Sequence, residues 1–365
     1  MPLTVKSLFL SLFKCENREQ NILTLSVMSI FLPFYITAAV LLFVVIRAFF
    51  VKEVREKMLK DKGASLVLDF AIINVFAPIC FKNYYGIACF VGVCAILLYA
   101  LYARAVIDTV CLEKISNTIC FMSITSAVCA VFQRFMGTAR VSSVFFNPNY
   151  YGAIITFVIL LCVYNILEKK GNLALNIFAI LANLLGLLLC NCQSAFFSII
   201  LGVFVLLLLT KKYKIIIVCA VLGVVCLPLI PYILPRLSGA YENISIRATI
   251  WNAGIKGFLE NPAFGRGMMG YMQIFEKFGG QKNFHCHNMI IDMLLSFGIV
   301  GTIPLVAFVI KPIAKAFKQK NALIISVLAA VLLHSLVDVT LAFVQTGALA
   351  AVFIAIPYIK EKTSQ

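Results

Sequence analysis

The chain has 365 residues, of which 62% are hydrophobic and only 13% are charged, and it carries a formal net charge of +16. An ordinary soluble domain has about a quarter of its residues charged, so this composition excludes that class. The apolar residues form repeated runs of roughly 17 to 25 residues, the length that an α-helix needs to cross a bilayer. Alternating segments of about ten residues, which would indicate a membrane β-barrel, do not occur in the sequence. The sequence therefore predicts an all-α, polytopic membrane helical bundle.

The apolar runs predict about eleven spans. They cover residues 22–48, 64–80, 85–107, 115–133, 150–167, 172–190, 193–210, 214–234, 287–310, 320–338 and 342–358. A break at Pro33 would divide the first run into two spans and raise the total to about twelve. The first run is too long for a signal peptide, and no small-residue cleavage site follows it.

Lysine and arginine gather in loops that lie on one side of the predicted bundle, and the positive-inside rule assigns this side to the cytoplasm. The cations lie in loops 51–63, 168–171, 211–214 and 311–320, and at Lys360 and Lys362. The loop 134–149 and the long segment 235–286 then face outward. With eleven spans the basic residues 1–20 lie outside, against the rule, whereas a break at Pro33 places them inside.

The long segment 235–286 is predicted to form an outward, partly helical cap. We divide the chain into N-terminal membrane helices, the cap and C-terminal membrane helices, at residues 1–234, 235–286 and 287–365. The cap contains Trp251, the only tryptophan, in a stretch with helical apolar spacing that Asn243 or Ser245 would cap. A Gly-rich turn follows. Surplus cations in the cap indicate either an anionic ligand or an ordinary solvated loop.

Most of the thirteen cysteines lie inside apolar runs, where we expect free thiols that behave as small hydrophobic side chains. Cys190, Cys192 and Cys286 lie near the predicted outer face, and the sequence leaves a bridge among them open. No CxxC metal-binding spacing occurs.

Three motifs follow one another along the chain from residue 140 onward. They are "RVSSVFFNPNYYG" (140–152), "RATIWNAGIKGFLENPAFGRG" (247–267) and "HCHNMIIDMLLSFGIVG" (285–301), and "HSLVD" (334–338) comes after them. In this order and topology the chain resembles the O-antigen ligase and O-antigen polymerase family of bacterial envelope glycosyltransferases, over about residues 130–360. One departure occurs in "NCQSAFF", where Gln193 takes the place of an Arg that the family often has.

The resemblance implies a reaction at the outer face of a bacterial cytoplasmic membrane. A glycan on undecaprenyl pyrophosphate is moved to an acceptor hydroxyl, on a lipid-core sugar for a ligase or on another repeat unit for a polymerase. The resemblance implies no cofactor, metal or nucleotide sugar. The expected partners are the lipid-linked donor, a glycan, lipid or cell-wall acceptor and membrane lipids, without nucleic acid. An Ile-, Lys- and Asn-rich composition suggests an AT-rich genome and an envelope without a lipopolysaccharide core. It therefore favours a polymerase, or a ligase that acts on a cell-wall polymer.

Three arginines are candidates for binding the donor pyrophosphate, because Arg forms paired hydrogen bonds with phosphate oxygens. Arg247 is the first candidate, since it lies inside the cap motif. Arg140 is the second and precedes the "NPN" turn. Arg266, between two glycines, fits either pyrophosphate binding or a structural role in the turn.

Two histidines stand where the cap meets a membrane helix. His287, directly before the helix-opening Asn288, is the predicted general base for the acceptor hydroxyl, with His285 as a second catalytic candidate. Alternatively, both histidines cap the helix or face water. A zinc site is less favoured, because His-x-His supplies two ligands and no carboxylate or thiolate pattern clearly completes it.

His334 and Asp338 are spaced i, i+4 at the predicted outer end of the tenth span. An ionisable pair in a membrane helix is a functional-site candidate. The pair is expected either to assist the base or to form a structural hydrogen bond. Asn149 of the "NPN" turn and Asn288 complete the set of supporting residues.

Two other classes of protein remain open at this point. A transporter or flippase of a lipid-linked anionic glycan would also need many spans and outward cations. It would be expected to show polar groups near mid-membrane, internal repeats or interrupted helix pairs, and the sequence gives no clear repeat. A non-catalytic scaffold for envelope assembly would not need His287.

Overall fold

The structure is a computed structural model, and it describes residues 17–226 and 240–359 together with Cys15 and Pro228. These residues form helices without β-strands, which confirms the all-α class. Several predicted features lie outside the described residues: the end of the span 214–234, the start of the cap with Arg236, and the tail cations Lys360 and Lys362.

The helices follow one another along the whole described chain. They are α1 (Arg18–Ser29), α2 (Phe34–Phe50), α3 (Lys52–Lys60), α4 (Gly63–Asn74), α5 (Phe76–Cys80), α6 (Tyr84–Val106), α7 (Thr109–Phe135), α8 (Pro148–Leu167), α9 (Leu173–Cys190), α10 (Gln193–Leu209), α11 (Tyr213–Val225), α12 (Ala240–Glu260), α13 (Met289–Lys318), α14 (Ala322–Ser335) and α15 (Val344–Ala355). Two short 3₁₀ helices cover Gly270–Gln273 and Ile356–Tyr358.

Six helical segments of the described chain are long and apolar enough to cross a membrane, or seven if the bent pair α2–α3 counts as one span. The six are α4 with α5, then α6, α7, α8, α9 and α13. Shorter apolar helices are α10, α11, α14 and α15 with the 3₁₀ helix that follows it. The chain is therefore a multi-pass membrane protein, and the total of eleven or twelve spans stays a prediction.

The first apolar run is broken at Pro33, as the twelve-span alternative requires. Helices α1 and α2 pack as an antiparallel pair, because Arg47 near the end of α2 bonds Glu19 at the start of α1 at 2.6 Å. The turn between them leaves carbonyl groups inside the bundle. The buried Gln345 amide donates to Ile30 O and Leu32 O, which satisfies them.

Helix α3 corrects the prediction that residues 51–63 form a loop. It carries four of the five cations of this segment but is helical, and it turns by 96° from α2. Its apolar residues Val54 and Met58 are buried one helical turn apart, while its lysines are exposed. This amphipathic pattern is typical of a helix that lies along a membrane surface.

Helix α8 is the most buried of the long helices and forms the centre of the bundle, packed against α9, α10 and α14. Gly152 allows its first turn to lie directly on α10. A Cβ atom at Gly152 would come within 2.8 Å of the Cys192 and Ala195 side chains. This close approach brings the "NPN" turn beside the start of α10.

The cap is attached to the bundle through a break in α13 at Gly298, where φ is +62°. Before the break, Leu295 O and Ser296 O accept hydrogen bonds from Arg266 N and Gly267 N, at 2.9 and 2.8 Å. Pro262 O and Ala263 O in turn accept from Ile299 N and Val300 N. The predicted Gly-rich turn is confirmed, with positive φ at Gly265 and Gly267. It replaces the helical bonds that the break removes.

Helix α12 of the cap begins earlier than the sequence suggests. It starts at Ala240, so Asn243 and Ser245 lie inside the helix and neither caps it. The helix buries its apolar face in a small second core shared with α13. The members of this core are Ile250, Ala253, Tyr271, Ile274, Cys286 and Leu295.

Candidate active site

Three helix ends meet at one end of the bundle and bring the predicted site residues together. The loop before α13 carries His285 and His287, the first turn of α8 carries Asn149, and the loop after α14 carries Asp338. The Asp338 side chain is the common partner, because both histidines and Asn149 lie around its carboxylate.

The predicted i, i+4 pair of His334 and Asp338 is wrong as a helical side-chain pair. Helix α14 ends at Ser335, so Asp338 lies in the turn that follows. The His334 ring contacts Ser194 at 3.0 Å, whereas the Asp338 carboxylate lies among the groups of the candidate site. Each side chain thus has its own partners, although Asp338 N donates to His334 O at 3.1 Å.

The "NPN" turn explains how Asn149 reaches Asp338. Asn147 caps α8 by accepting from Asn149 N and Tyr150 N, and Pro148 opens the helix. The Asn149 side chain then lies between two groups. Its amide nitrogen donates to Asp338 Oδ2 at 2.5 Å, and its oxygen accepts from Arg140 Nη2 at 2.5 Å.

His287 is held against Asp338 by an uncommon backbone conformation. Its φ is +49°, in the left-handed region that non-glycine residues seldom occupy. Such strain persists where surrounding contacts impose it. Trp251 of the cap supplies one contact, since its indole N–H donates to His287 O at 3.2 Å. Asn288 supplies another by capping α13 and donating to Leu336 O.

The hydrogen-bond network fixes the tautomer of His287. Phe284 N donates to Asn283 Oδ1 at 2.8 Å, so the Asn283 amide nitrogen faces His287 Nε2, at 2.8 Å. His287 Nε2 is therefore an acceptor, and the ring proton is on Nδ1, which lies 3.2 Å from Asp338 Oδ1. His287 is neutral, with its lone pair directed away from Asp338.

His285 has the opposite tautomer. Its Nδ1 accepts from His287 N at 3.2 Å, so its proton is on Nε2, which lies 3.8 Å from Asp338 Oδ1. Burial lowers the pKa of His285, and this outweighs the opposing effect of the Asp338 and Asp292 charges. His285 therefore stays neutral beside the carboxylate.

Asp338 is ionised although it is only 1% exposed. Burial alone would raise the pKa of Asp338, but the hydrogen bond that His287 donates, together with the nearby His285 and His334, holds that pKa well below its usual range. Donors from Asn149 and from Val339 N complete its shell. A carboxylate with this many donors is the stable form even in a buried position.

The candidate site contains a group of side chains with the spacing of metal ligands. The ligand atoms of His285, His287 and Asp338 lie within 4.8 Å of one another. The sequence pattern did not reveal a third ligand, because Asp338 joins the histidine pair only through the tertiary fold. In metal sites the second ring nitrogen of a histidine normally donates a hydrogen bond. Here His285 Nδ1 and His287 Nε2 both accept, so both ring protons point into the space between the ligands. This donor pattern does not fit a resident metal.

The three candidate arginines occupy different environments. Arg247 of α12 is half-buried and makes no hydrogen bond or ion pair with any residue that the structure describes, and it lies one turn before Trp251. Arg140 bonds Asn149 and also donates to Cys190 O at 3.0 Å. Arg266 pairs with Glu260 at 2.5 Å and lies over the Phe81 ring, as a structural role in the turn would require.

Sequence reasoning missed Asn283 and Ser194. Asn283 lies four residues before His287, and only its position in that loop could have drawn attention to it. Ser194 follows Gln193, at the place where the family often has an Arg. The cysteines are free thiols, as predicted, and Cys192 lies 3.3 Å from the Ser194 hydroxyl.

Fold and site together define a class: a multi-pass, all-helical membrane protein with a histidine–aspartate cluster at one end of its bundle. Within that class, residues 144–306 match the family model described as O-Antigen ligase. The match supports an assignment to the O-antigen ligase and polymerase family. It is shorter than the predicted extent of 130–360, and Arg140 and Asp338 lie outside it. No curated protein matches the chain.

Proposed function

We propose that this chain is a membrane glycosyltransferase of the O-antigen ligase or polymerase type. It would move a glycan from undecaprenyl pyrophosphate to an acceptor hydroxyl at the outer face of a bacterial cytoplasmic membrane. The observation that carries the proposal is the neutral His287, whose Nδ1–H is bonded to an ionised Asp338 and whose Nε2 is an acceptor. An orienting carboxylate behind an imidazole base is the arrangement that nucleophile activation requires.

The chemical step uses the accepting nitrogen of His287. The acceptor O–H gives its proton to Nε2 while its oxygen forms a bond to the anomeric carbon of the donor. The bond between that carbon and the phosphate oxygen breaks, and its electron pair leaves on the pyrophosphate. Asp338 stabilises the imidazolium that forms. The His287 side chain is 20% exposed, which leaves an approach for the hydroxyl.

Arginine side chains stabilise the departing pyrophosphate in this proposal. Arg247 is the first choice because it has no partner in the described chain and lies about 6 Å along α12 from Trp251, which holds His287 O. Arg140 is the second, and its contact with Asn149 joins pyrophosphate binding to the Asp338 network. Arg266 is the third, since binding a phosphate there would break its pair with Glu260.

The remaining site residues support this arrangement. Asn149 and Asn288 hold Asp338 and the His287 loop in place. His334, near the end of α14, contacts Ser194 at the start of α10, and His285 lies on the second side of the Asp338 carboxylate. We infer that the reaction needs no metal, because both ring protons occupy the space that an ion would take.

Transport of a lipid-linked glycan is the alternative function, and it calls for polar groups along a path across the membrane. The interior of the described bundle holds such groups: Asn165 donates to Ser116 Oγ at 2.8 Å and to Asn176 Oδ1 at 3.0 Å. These side chains bond one another, which is typical of packing between membrane helices. They favour helix association over a transport path.

The test is a reconstituted assay with a lipid-linked oligosaccharide donor and a soluble hydroxyl acceptor. The proposal predicts a covalent donor–acceptor product and release of the lipid pyrophosphate, with the same rate after addition of EDTA. Movement of the intact donor between leaflets without any covalent product would favour the transporter instead. Loss of product with EDTA would point to a metal.

A further inference from the structure

The accepting nitrogen of His287 is already occupied. Asn283 Nδ2 lies 2.8 Å from His287 Nε2, the distance of a normal hydrogen bond. The same nitrogen is the one that must accept the proton of the acceptor hydroxyl in the proposed reaction. One ring nitrogen has one lone pair, so the amide and the hydroxyl cannot both bond it.

The Asn283 side chain can move away from His287 without breaking a contact to a helix. Within the part of the chain that the structure describes, its two side-chain bonds reach its neighbour Phe284 N and His287, so neither bond ties it to a helix. The loop is anchored before it, where the Tyr271 hydroxyl donates to Gln281 O, and after it, where Cys286 N donates to Asp292 Oδ1. Between these anchors Asn283 is half-buried and its neighbours on both sides are exposed.

We propose that Asn283 is a positioning residue that covers the base until an acceptor sugar displaces it, and that it thereby selects a sugar hydroxyl over water. The inference rests on the proposed function. An acceptor sugar has contacts beyond its reacting hydroxyl, and these offset the displacement of the amide. A single water has none, so it displaces the amide less readily.

The reaction that Asn283 suppresses is hydrolysis of the donor. In it a water gives one proton to His287 Nε2, and its oxygen forms a bond to the anomeric carbon. The carbon–oxygen bond to phosphate breaks, and the electron pair leaves on the lipid pyrophosphate. The products are a free glycan and the same lipid that transfer releases, so the two reactions are measured in one assay.

The experiment measures the ratio of free glycan to transferred glycan with the full-length chain in proteoliposomes. For Asn283→Ala we expect this ratio to rise by about 2- to 12-fold, the change that corresponds to losing one neutral hydrogen bond. Gln281→Ala is the matched control, because only the backbone of Gln281 bonds Tyr271. It should leave the ratio unchanged.

Asn283→Asp provides a second variant that keeps the side-chain shape and the bond to Phe284 N. A carboxylate there cannot donate, and it holds a proton on His287 Nε2, so transfer and hydrolysis should both fall at least tenfold. This variant tests the amide even where Asn283→Ala does not fold. An unchanged ratio in Asn283→Ala, or full activity in Asn283→Asp, would overturn the inference.

A parallel measurement of His287→Ala separates the two proposals. If His287→Ala is inactive and the Asn283 variants behave as wild type, only the role of Asn283 is wrong. If His287→Ala still transfers glycan, the proposed function of the base is wrong.

Discussion

The helix ends of α8, α13 and α14 that form the candidate site meet around Asp338. It is only 1% exposed, yet it takes hydrogen bonds from His287, Asn149 and its own neighbour Val339 N. A buried carboxylate without such donors would be protonated or strongly destabilising. Asp338 therefore couples the protonation state of the site to the folding of three helix ends.

This coupling predicts a pH dependence of stability. The folded pKa of Asp338 lies below its unfolded value of about 3.9, so the unfolded state binds more protons once the pH falls toward that value. The stabilising contribution is complete at neutral pH and is lost as the pH falls below about 4. In detergent, the difference in Tm between wild type and Asp338→Asn should be largest at pH 7 and should shrink below about pH 4. A constant difference over that range would contradict this assignment.

Substitution of Arg247 tests, at the scale of a single residue, whether this side chain binds the pyrophosphate. Arg247→Ala should lose essentially all transfer, and Arg247→Lys should lose most of it, because Lys keeps the charge without the paired donors. Both proteins should reach the membrane in normal amounts, since Arg247 has no bond to the described chain that its loss would break. Lys256→Ala, an exposed cation on the same helix, is the control and should retain activity. Full transfer by Arg247→Ala would move pyrophosphate binding to Arg140 or Arg266.

The break in α13 at Gly298 is the place where the cap is attached to the bundle. At Gly298 the backbone is left-handed, and a Cβ atom there would lie 2.4 Å from Ala263 backbone atoms. Gly298→Ala should therefore lower the Tm by several degrees and loosen the cap, with a loss of transfer. Gly92→Ala in α6 is the matched control, because nothing lies within 4 Å of a Cβ atom there. Its Tm should be unchanged or slightly higher, and equal losses in both variants would contradict the role of the break.

At the scale of elements, the lengths of the apolar runs predicted the positions of the long helices, because the thickness of the bilayer sets the length of a spanning helix. Pro33 predicted the break between α1 and α2, because proline interrupts a helix at its own position in the chain. By contrast, Asp338 meets Asn149 across 189 positions, and the turn 262–267 pairs with α13 through backbone hydrogen bonds between distant parts of the chain. The spacing of His334 and Asp338 even suggested a helical pair that the end of α14 removes. Motif order located the candidate site, while its central partner and the role of Asn283 needed the tertiary structure.

At the scale of the whole molecule, α13 runs from the candidate site at Met289 to the cationic end at Lys318. If the positive-inside rule holds, the site faces outward and the cations face the cytoplasm. In a cysteine-free background, Lys282→Cys should react with an impermeant maleimide in intact cells, and Lys318→Cys should react only after lysis. The reverse pattern would place the site on the wrong side for an outer-leaflet donor.

The most direct test of the central claim is the transfer rate of purified, reconstituted His287→Ala. Loss of a general base costs about 10²–10⁴ in rate, whereas loss of a helix cap costs about 1 kcal/mol of stability, so the two roles separate by size and by kind. The account predicts a fall in transfer of that size, with donor binding retained and the Tm in detergent little changed. Near-normal transfer with a lowered Tm would contradict it, and His287 would then be a residue that only holds the loop before α13.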